Sequence, residues 1–312
     1  MEIQVWPINE ELKEEANRHY RTAFALALES REPWEIISRL TFDSVAPNLT
    51  LEEVRNLFDW VNKKILHGRL VGQGVELGAG AGFMSAVIAS SPKVEKVYAV
   101  EVVENVVRAL GTKIVDFVLE EKSNKVIGCV GDFNHLQLPD QSVDFAFDFY
   151  SLHHSDDLEA TLAEIFRILK QGGFLFCFDK ARDNKLTELE LVKLLDQEYT
   201  RESKILMGLS PGVPHTRRQN GEKEYRLADW EKALKKSGFL VVDHFHLARL
   251  RGDKFSKVFK KIVSWLPVSW QVMITAPLYR HKKVNNLEIS NLVFCPPVNN
   301  FPKEISLIIA HK

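Results

Sequence analysis

Val75-Glu76-Leu77-Gly78-Ala79-Gly80-Ala81-Gly82-Phe83 is the stretch that decides the fold. A short apolar run enters three glycines at alternate positions, and a helix-compatible segment, Phe83 to Ala89, leaves them. That order predicts a strand, a tight turn and a helix start. Glycine lets the backbone turn sharply and lets a ligand approach closely, because no Cβ stands in the way. The helix start behind the turn offers N–H groups that have no partner inside the helix. Glu76 sits at the end of the strand, two positions before the first glycine.

Strands and helices alternate from residue 73 onwards. Apolar runs at 75–77, 97–100, 126–130, 143–149, 174–178, 239–242 and 305–310 predict seven strands. Helical spacing predicts helices over 83–89, 105–119, 158–169 and 227–236, with Gln171-Gly172-Gly173 stopping the third of them. Continuous apolar strands separated by helices imply a parallel sheet covered on both faces. Upstream, 51–66 reads as an amphipathic helix with Leu51, Val54, Leu57, Phe58, Val61 and Ile65 on its apolar face. Thr50 is placed as its N-cap and Glu53 completes a capping box. Residues 10–29 give one more helix, with Leu12, Ala16, Tyr20, Phe24 and Leu28 at helical spacing.

Two segments break the alternation. Residues 181–226 are rich in charge and contain a loop from Ser210 to Arg218, with His215 and Arg217 in it. Within 249–303, Phe255, Val258, Phe259, Ile262, Val263 and Leu266 recur at helical spacing, while Lys254, Lys257, Lys260 and Lys261 take the other side. Residues 262–279 carry no charge, and Pro267 and Pro277 interrupt them.

At 312 residues the chain is long enough to bury a core without disulfides. A net charge of −1 recruits no nucleic acid, and no strongly basic face is legible. Cys129, Cys177 and Cys295 lie in apolar runs without metal-like spacing and read as buried thiols. No His, Asp or Glu cluster has metal-ligand spacing, so no metal is expected. Met1 to Asn9 lacks the basic and apolar regions of a signal peptide, which points to a cytoplasmic protein.

Three nucleotide-binding patterns compete for Gly78–Gly82. A phosphate-binding Walker A loop needs Gly-Lys-Ser/Thr after its glycines, and Ala81-Gly82-Phe83 offers none. A dinucleotide fingerprint needs a third glycine where Phe83 stands. Glu76, Gly78, Gly80 and Gly82 satisfy the third pattern, Glu-x-Gly-x-Gly-x-Gly, in full. With it the chain resembles the class I S-adenosylmethionine-dependent methyltransferases, in particular the small-molecule and quinone-type subgroup. Four further landmarks follow in the family's order over residues 73–179. Glu101 ends the second strand, where the family holds the adenosyl ribose hydroxyls. Asp132, followed by Phe133, stands where an acid pairs with the adenine amino group and the next side chain packs near the ring. The stretch from Asp148 to His154 resembles the segment beside the methionine moiety. Ile165 to Gly173 resembles the helix and turn before the fifth strand.

The resemblance implies a Rossmann-like α/β domain with a seven-stranded, mostly parallel sheet and helices on both faces. Residues 1–68 would form an N-terminal helical cap, and 69–312 the catalytic domain with lid insertions at 181–226 and 249–303. It implies S-adenosyl-L-methionine as cofactor, held by Glu76, Gly78, Ala79, Gly80, Gly82, Glu101, Asp132, Phe133 and Asp148. The reaction implied is methyl transfer to a small-molecule or lipid-like acceptor, with O-, N- and C-methylation all open. His153, His154, Tyr150 and His215 are the candidates for a base. Each site residue also has a plainer reading: Asp132 and Asp148 as turn caps, the histidines as packing residues. A cofactor-binding module without turnover and a nicotinamide-linked oxidoreductase are the alternative functions. The basic stretch 254–266 fits either a lid helix or peripheral contact with an anionic membrane.

Overall fold

The computed structural model describes residues 1–19, 29–38, 50–207, 209–248, 250, 254–284, 286–295 and 305–312. Its strands are β1 (Glu2–Val5), β2 (Gly72–Leu77), β3 (Val94–Glu101), β4 (Val126–Val130), β5 (Val143–Phe149), β6 (Leu169–Phe178), β7 (Val241–Ala248), β8 (Lys283–Val284), β9 (Leu287–Glu288), β10 (Leu292–Phe294) and β11 (Ile305–His311). Nine of the described strands form one sheet in the order β1-β4-β3-β2-β5-β6-β11-β7-β10, and β8 pairs with β9 separately. β11 runs antiparallel to both of its neighbours, and every other adjacent pair is parallel. The mostly parallel α/β sheet is as expected, with nine strands instead of seven.

The two extra strands lie at the sheet's edges. β1 and β10 are short, and their extended shape comes from a neighbour's backbone, not from a side-chain period of their own. β1 pairs with β4, and Trp6 just beyond it donates its N–H to the Val130 carbonyl at 2.8 Å.

Each face of the sheet carries its own core. On one, the helices Leu51–Lys64 and Phe83–Ala89 cover Phe145, Phe147, Phe174, Phe176 and Phe178. On the other, Leu158–Ile168 and Leu227–Lys236 cover Val75, Leu77, Ala146, Leu175 and Cys177. Phe147 and Phe176 stack across β5 and β6 with ring centroids 5.4 Å apart. The capping box at Thr50 is formed: its Oγ1 accepts from Glu53 N at 3.2 Å, and Glu53 Oε2 accepts from Thr50 N at 3.0 Å.

Several boundaries differ from the sequence reading. The helix at 158 ends at Ile168, and Leu169 already belongs to β6, so Gly172-Gly173 is no helix cap. The pair forms a bulge early in β6, where Val143 faces Leu169 but Phe145 faces Phe174. Gly172 takes a φ of 76°, and a Cβ on Gly173 would fall 2.8 Å from the Lys170 carbonyl. The strand expected at 239–242 begins at Val241 and runs on to Ala248. Helix 105–119 opens with a wide turn at Val106–Gly111 before Thr112–Leu119. Of the helix expected at 10–29, Glu10–His19 is helical, and Tyr20, Phe24 and Leu28 lie outside the described residues. The three cysteines are free and buried.

Candidate functional site

Strands β2 to β6 run in one direction, so their C-terminal ends share one edge of the sheet. The chain moves from β2 out to β3 and β4, then crosses back to β5 and β6 on the other side of β2. Ligands of open parallel sheets sit outside the strand ends where the order reverses, here at β2 and β5. The acidic residues expected to hold the cofactor, Glu76, Glu101, Asp132 and Asp148, lie at or next to the ends of β2, β3, β4 and β5 along this edge.

The glycine turn leaves β2 with Gly78, Gly80 and Gly82 at φ 64°, 53° and 73°, a region that favours glycine. Ala79 N donates to the Val100 carbonyl at 2.8 Å. Ser151, just past β5, closes on Gly78 so tightly that a Cβ there would lie 2.4 Å from the serine's own. A Cβ on Gly80 would meet no protein atom within 4 Å. The turn is therefore pinned at Gly78 and faces open space at Gly80.

Glu76 is buried and points into the protein. Its Oε2 accepts from Ser85 N at 2.7 Å and from Ser85 Oγ, which ties β2 to the first turn of the Phe83–Ala89 helix. Burial pushes its carboxyl up to about 8, although both Ser85 hydrogen bonds oppose the rise. Glu101, also buried, accepts from Gly80 N at 2.9 Å and from Val103 N at 3.0 Å, and burial raises it too. It thus holds the glycine turn against the end of β3.

Asp132 follows β4. Its Oδ1 accepts from the N and Nδ2 of Asn134, each at 2.8 Å, and its Oδ2 lies 3.1 Å from His135 Nδ1. Phe133 packs half-buried on the second core. Asp148 ends β5 fully buried, with Oδ1 accepting from Ser151 N at 2.8 Å and Leu152 N at 2.9 Å. Its Oδ2 has no hydrogen-bond partner among the described residues. Burial, and then the charge of Asp179, raise the Asp148 carboxyl well above the usual range.

His153 is buried with both ring nitrogens engaged. Nδ1 lies 2.7 Å from Asp179 Oδ1 and Nε2 lies 3.0 Å from Lys180 Nζ. An ammonium only donates, so Nε2 accepts and the proton sits on Nδ1, facing Asp179. Burial alone would raise Asp179, but His153 and Lys180 outweigh it and hold the carboxylate below its ordinary range. The His154 ring packs on His153 with centroids 4.3 Å apart. Tyr150 takes a φ of 60°, and burial, then Asp179 and Asp148, raise its phenol, which stays protonated.

From Lys180 the polar network continues into segment 181–226. Lys180 pairs with Glu222, which also accepts from Tyr199 OH and from Arg217 at 2.9 Å. Arg217 and Arg182 share Glu224. Arg217 is thus neutralised inside the protein, and Arg218 pairs with Asp196 at the surface. The His215 ring stacks on Tyr199 beside this network, with centroids 6.2 Å apart. Asp179, Lys180, Tyr199, Glu222 and Glu224 were not found from the sequence. Asp179 had a signal, an acid directly after an apolar run, as at Glu101 and Asp132. Among the described residues no group of His, Cys, Asp and Glu is placed to hold a metal ion.

Residues 75–177 match the family model described as a methyltransferase domain. An uncharacterized methyltransferase of Bacillus subtilis, YcgJ, is 30% identical over 135 residues, which are 42% of this chain and 51% of that protein. The malonyl-[acyl-carrier protein] O-methyltransferase of Yersinia pestis is 38% identical over 60 residues, 19% of this chain and 22% of that one. The chain thus spans about half, or less, of the curated relatives it matches. A solved structure of Haemonchus contortus phosphoethanolamine N-methyltransferase 2, with S-adenosylhomocysteine bound, superposes with a TM-score of 0.54 over 98% of this chain and 60% of that one. At 15% identity that likeness speaks for the fold alone. The glycine turn, the acids at the strand ends and the matched segment converge: residues 75–177 are a methyltransferase domain of the class I S-adenosylmethionine-dependent family.

Proposed function

We propose that this chain transfers a methyl group from S-adenosylmethionine to a small-molecule or lipid-like acceptor, in the cytoplasm and with residues 254–266 within reach of a membrane. The observation that carries the reading is the edge where β2 and β5 end, with a glycine turn open at Gly80 and, at Asp148, a buried carboxylate oxygen that has no hydrogen-bond partner among the described residues. In this reading Glu76, Gly78, Ala79, Gly80, Gly82, Glu101, Asp132, Phe133 and Asp148 form the cofactor site. Glu101 accepts two backbone hydrogen bonds, and a carboxylate has further lone pairs for a ribose diol. Glu76 acts through Ser85, by holding the turn to its helix. Asp132 and Phe133 take the adenine side, and Asp148 Oδ2 takes a donor on the methionine side.

S-adenosylmethionine supplies an electrophilic methyl group on a sulfonium. The chain's own task is then alignment of the acceptor, which can lower a barrier by roughly 7–11 kcal/mol. Tyr150, held protonated, serves as a donor in this scheme. His153 can take an acceptor proton only if Lys180 gives up its hydrogen bond to Nε2, after which Asp179 balances the new charge. His154, stacked on His153, is the second candidate. Segments 181–226 and 249–303 wall the acceptor pocket, and residues 1–68 cap the domain while lending β1 to its sheet.

Calorimetry with S-adenosylmethionine and S-adenosylhomocysteine tests the site. Low- to mid-micromolar binding is expected, lost in Gly80→Val because the branched side chain fills the open space and strains a positive φ. No binding by the unaltered protein would sink the reading. Binding with no methyl product across fractionated cell extract would point instead to a module without turnover.

A further inference from the structure

The helix Val268–Tyr279 is packed inside out for a helix that faces water. Gln271 and Thr275 are 1% and 0% exposed, whereas Trp270 and Met273 are 57% and 65% exposed. The polar pair is fully used inward. Gln271 donates to the Ser264 and Leu266 carbonyls and accepts from Phe294 N at 3.0 Å, and Thr275 Oγ1 donates to the Leu292 carbonyl at 2.9 Å. These contacts seat the helix on β10 through hydrogen bonds; Val268, Val272, Ile274 and Tyr279 pack half-buried against the cores, and Trp270, Met273 and Leu278 are left outward. The preceding helix, Lys254–Ser264, continues the pattern: Val258, Ile262 and Trp265 are exposed at helical spacing, while Val263 and Ser264 are buried. Of the two readings open for 254–266, a lid helix would have turned Val258 and Ile262 to the core.

We propose that these two helices form a docking face for an anionic lipid bilayer. An apolar stripe with two tryptophans suits the boundary between headgroups and acyl chains, where an indole keeps one polar edge wet. Charge selects the occupant. No Asp or Glu occurs from 254 to 287, while four lysines lie at 254–261 and Arg280, Lys282 and Lys283 follow the second helix. The whole chain carries a net charge of −1, so this cationic rim is local. Lysines flanking a buried apolar stripe reach an anionic surface along their methylene stems. A second copy would bring the same lysines face to face.

The face also has the right place. β7 runs parallel to β6, because both pair antiparallel with β11, so Ala248 emerges at the edge where β2 to β6 end. The two helices follow it there, and the bilayer would meet the protein on the side of the cofactor crevice. Among the described residues no helix is long and apolar enough to cross the membrane, so the contact is peripheral.

The proposal rests on the functional reading only for that orientation, and the test separates the two. Flotation of the full chain with vesicles of phosphatidylcholine, alone or mixed with phosphatidylserine, is expected to succeed for the mixed vesicles only and to weaken with salt. Trp265→Ser/Trp270→Ser and Lys257→Glu/Lys261→Glu should each lower the partition coefficient by about tenfold or more. Both variants should bind S-adenosylmethionine as the parent does, which also shows that they fold. No flotation at low salt, equal flotation with neutral vesicles, or self-association that Trp265→Ser/Trp270→Ser abolishes would overturn the docking face and leave the methyltransferase reading standing. Vesicle binding without cofactor binding would overturn that reading and leave the docking face.

Discussion

Glu76 sets a pH dependence of its own. Its carboxyl stands near 8 in the folded chain, against an ordinary value of 4.5, because burial disfavours the charge. A folded-state pKa raised above the unfolded one means that the folded chain binds the extra proton. The contribution is complete below about 4.5 and is lost as pH rises through about 8. Urea unfolding at pH 5 and pH 8 should therefore show a smaller loss of stability in Glu76→Gln than in the parent. An equal loss would mean that Glu76 is charged where it lies. Asp179→Asn should act differently. It replaces the charged partner of His153 Nδ1 by a neutral amide, so any turnover that uses His153 as a base should fall in a methyl-transfer assay while S-adenosylmethionine binding by calorimetry is kept; unchanged turnover would take His153 out of the reaction. Glu76, Glu101 and Asp132 were legible because each is fixed to the glycine turn or a strand end by short spacing. Glu222 and Glu224 were not, because they meet Lys180 and Arg182 from 42 positions along the chain, past the helices Glu188–Leu195 and Arg201–Leu206, and no local spacing links the partners.

Elements with an internal rule were read correctly, and elements defined by a neighbour were not. The capping box at Thr50 needs only its own four residues. Thr50→Ala should cost about 0.5–2 kcal/mol in chemical denaturation without changing cofactor affinity. β1 and β10 follow no such rule, and the bulge in β6 arises from pairing with β5. Amphipathic spacing at 254–266 identified a helix but not which residues it buries, and the bonds of Gln271 and Thr275 to β10 seat the helix that follows it. Gly74 shows how closely the central strands meet: a Cβ there would lie 2.1 Å from the Phe145 ring, within the stack of Phe145 on Phe174. Gly74→Ala should destabilise by about 1–3 kcal/mol through overpacking, read as a lowered denaturation midpoint with an unchanged slope. A neutral result would show that the ring moves aside freely.

At the scale of the whole molecule, the first residues of the chain brace the turn that follows β4. β1 completes the sheet beside β4, and Trp6 lies buried in the second core together with Ile127 and Cys129. Its ring occupies the space that a Cβ on Gly131 would need, 2.6 Å away, so Trp6 and Gly131 are matched to one another. Asp132 and Phe133 follow at once. The turn assigned to adenine therefore rests on a side chain more than a hundred residues earlier in the sequence, a contact no local pattern announces. Trp6→Ala removes a large buried aromatic and should cost about 3–5 kcal/mol of stability. It should also weaken S-adenosylmethionine binding, because the turn at 131–133 loses its support, whereas Thr50→Ala lowers stability and spares binding. Calorimetry on both variants, at a temperature where both are folded, makes the comparison. Equal affinity in the two would detach the first strand from the cofactor site and reduce its part to sealing the edge of the sheet.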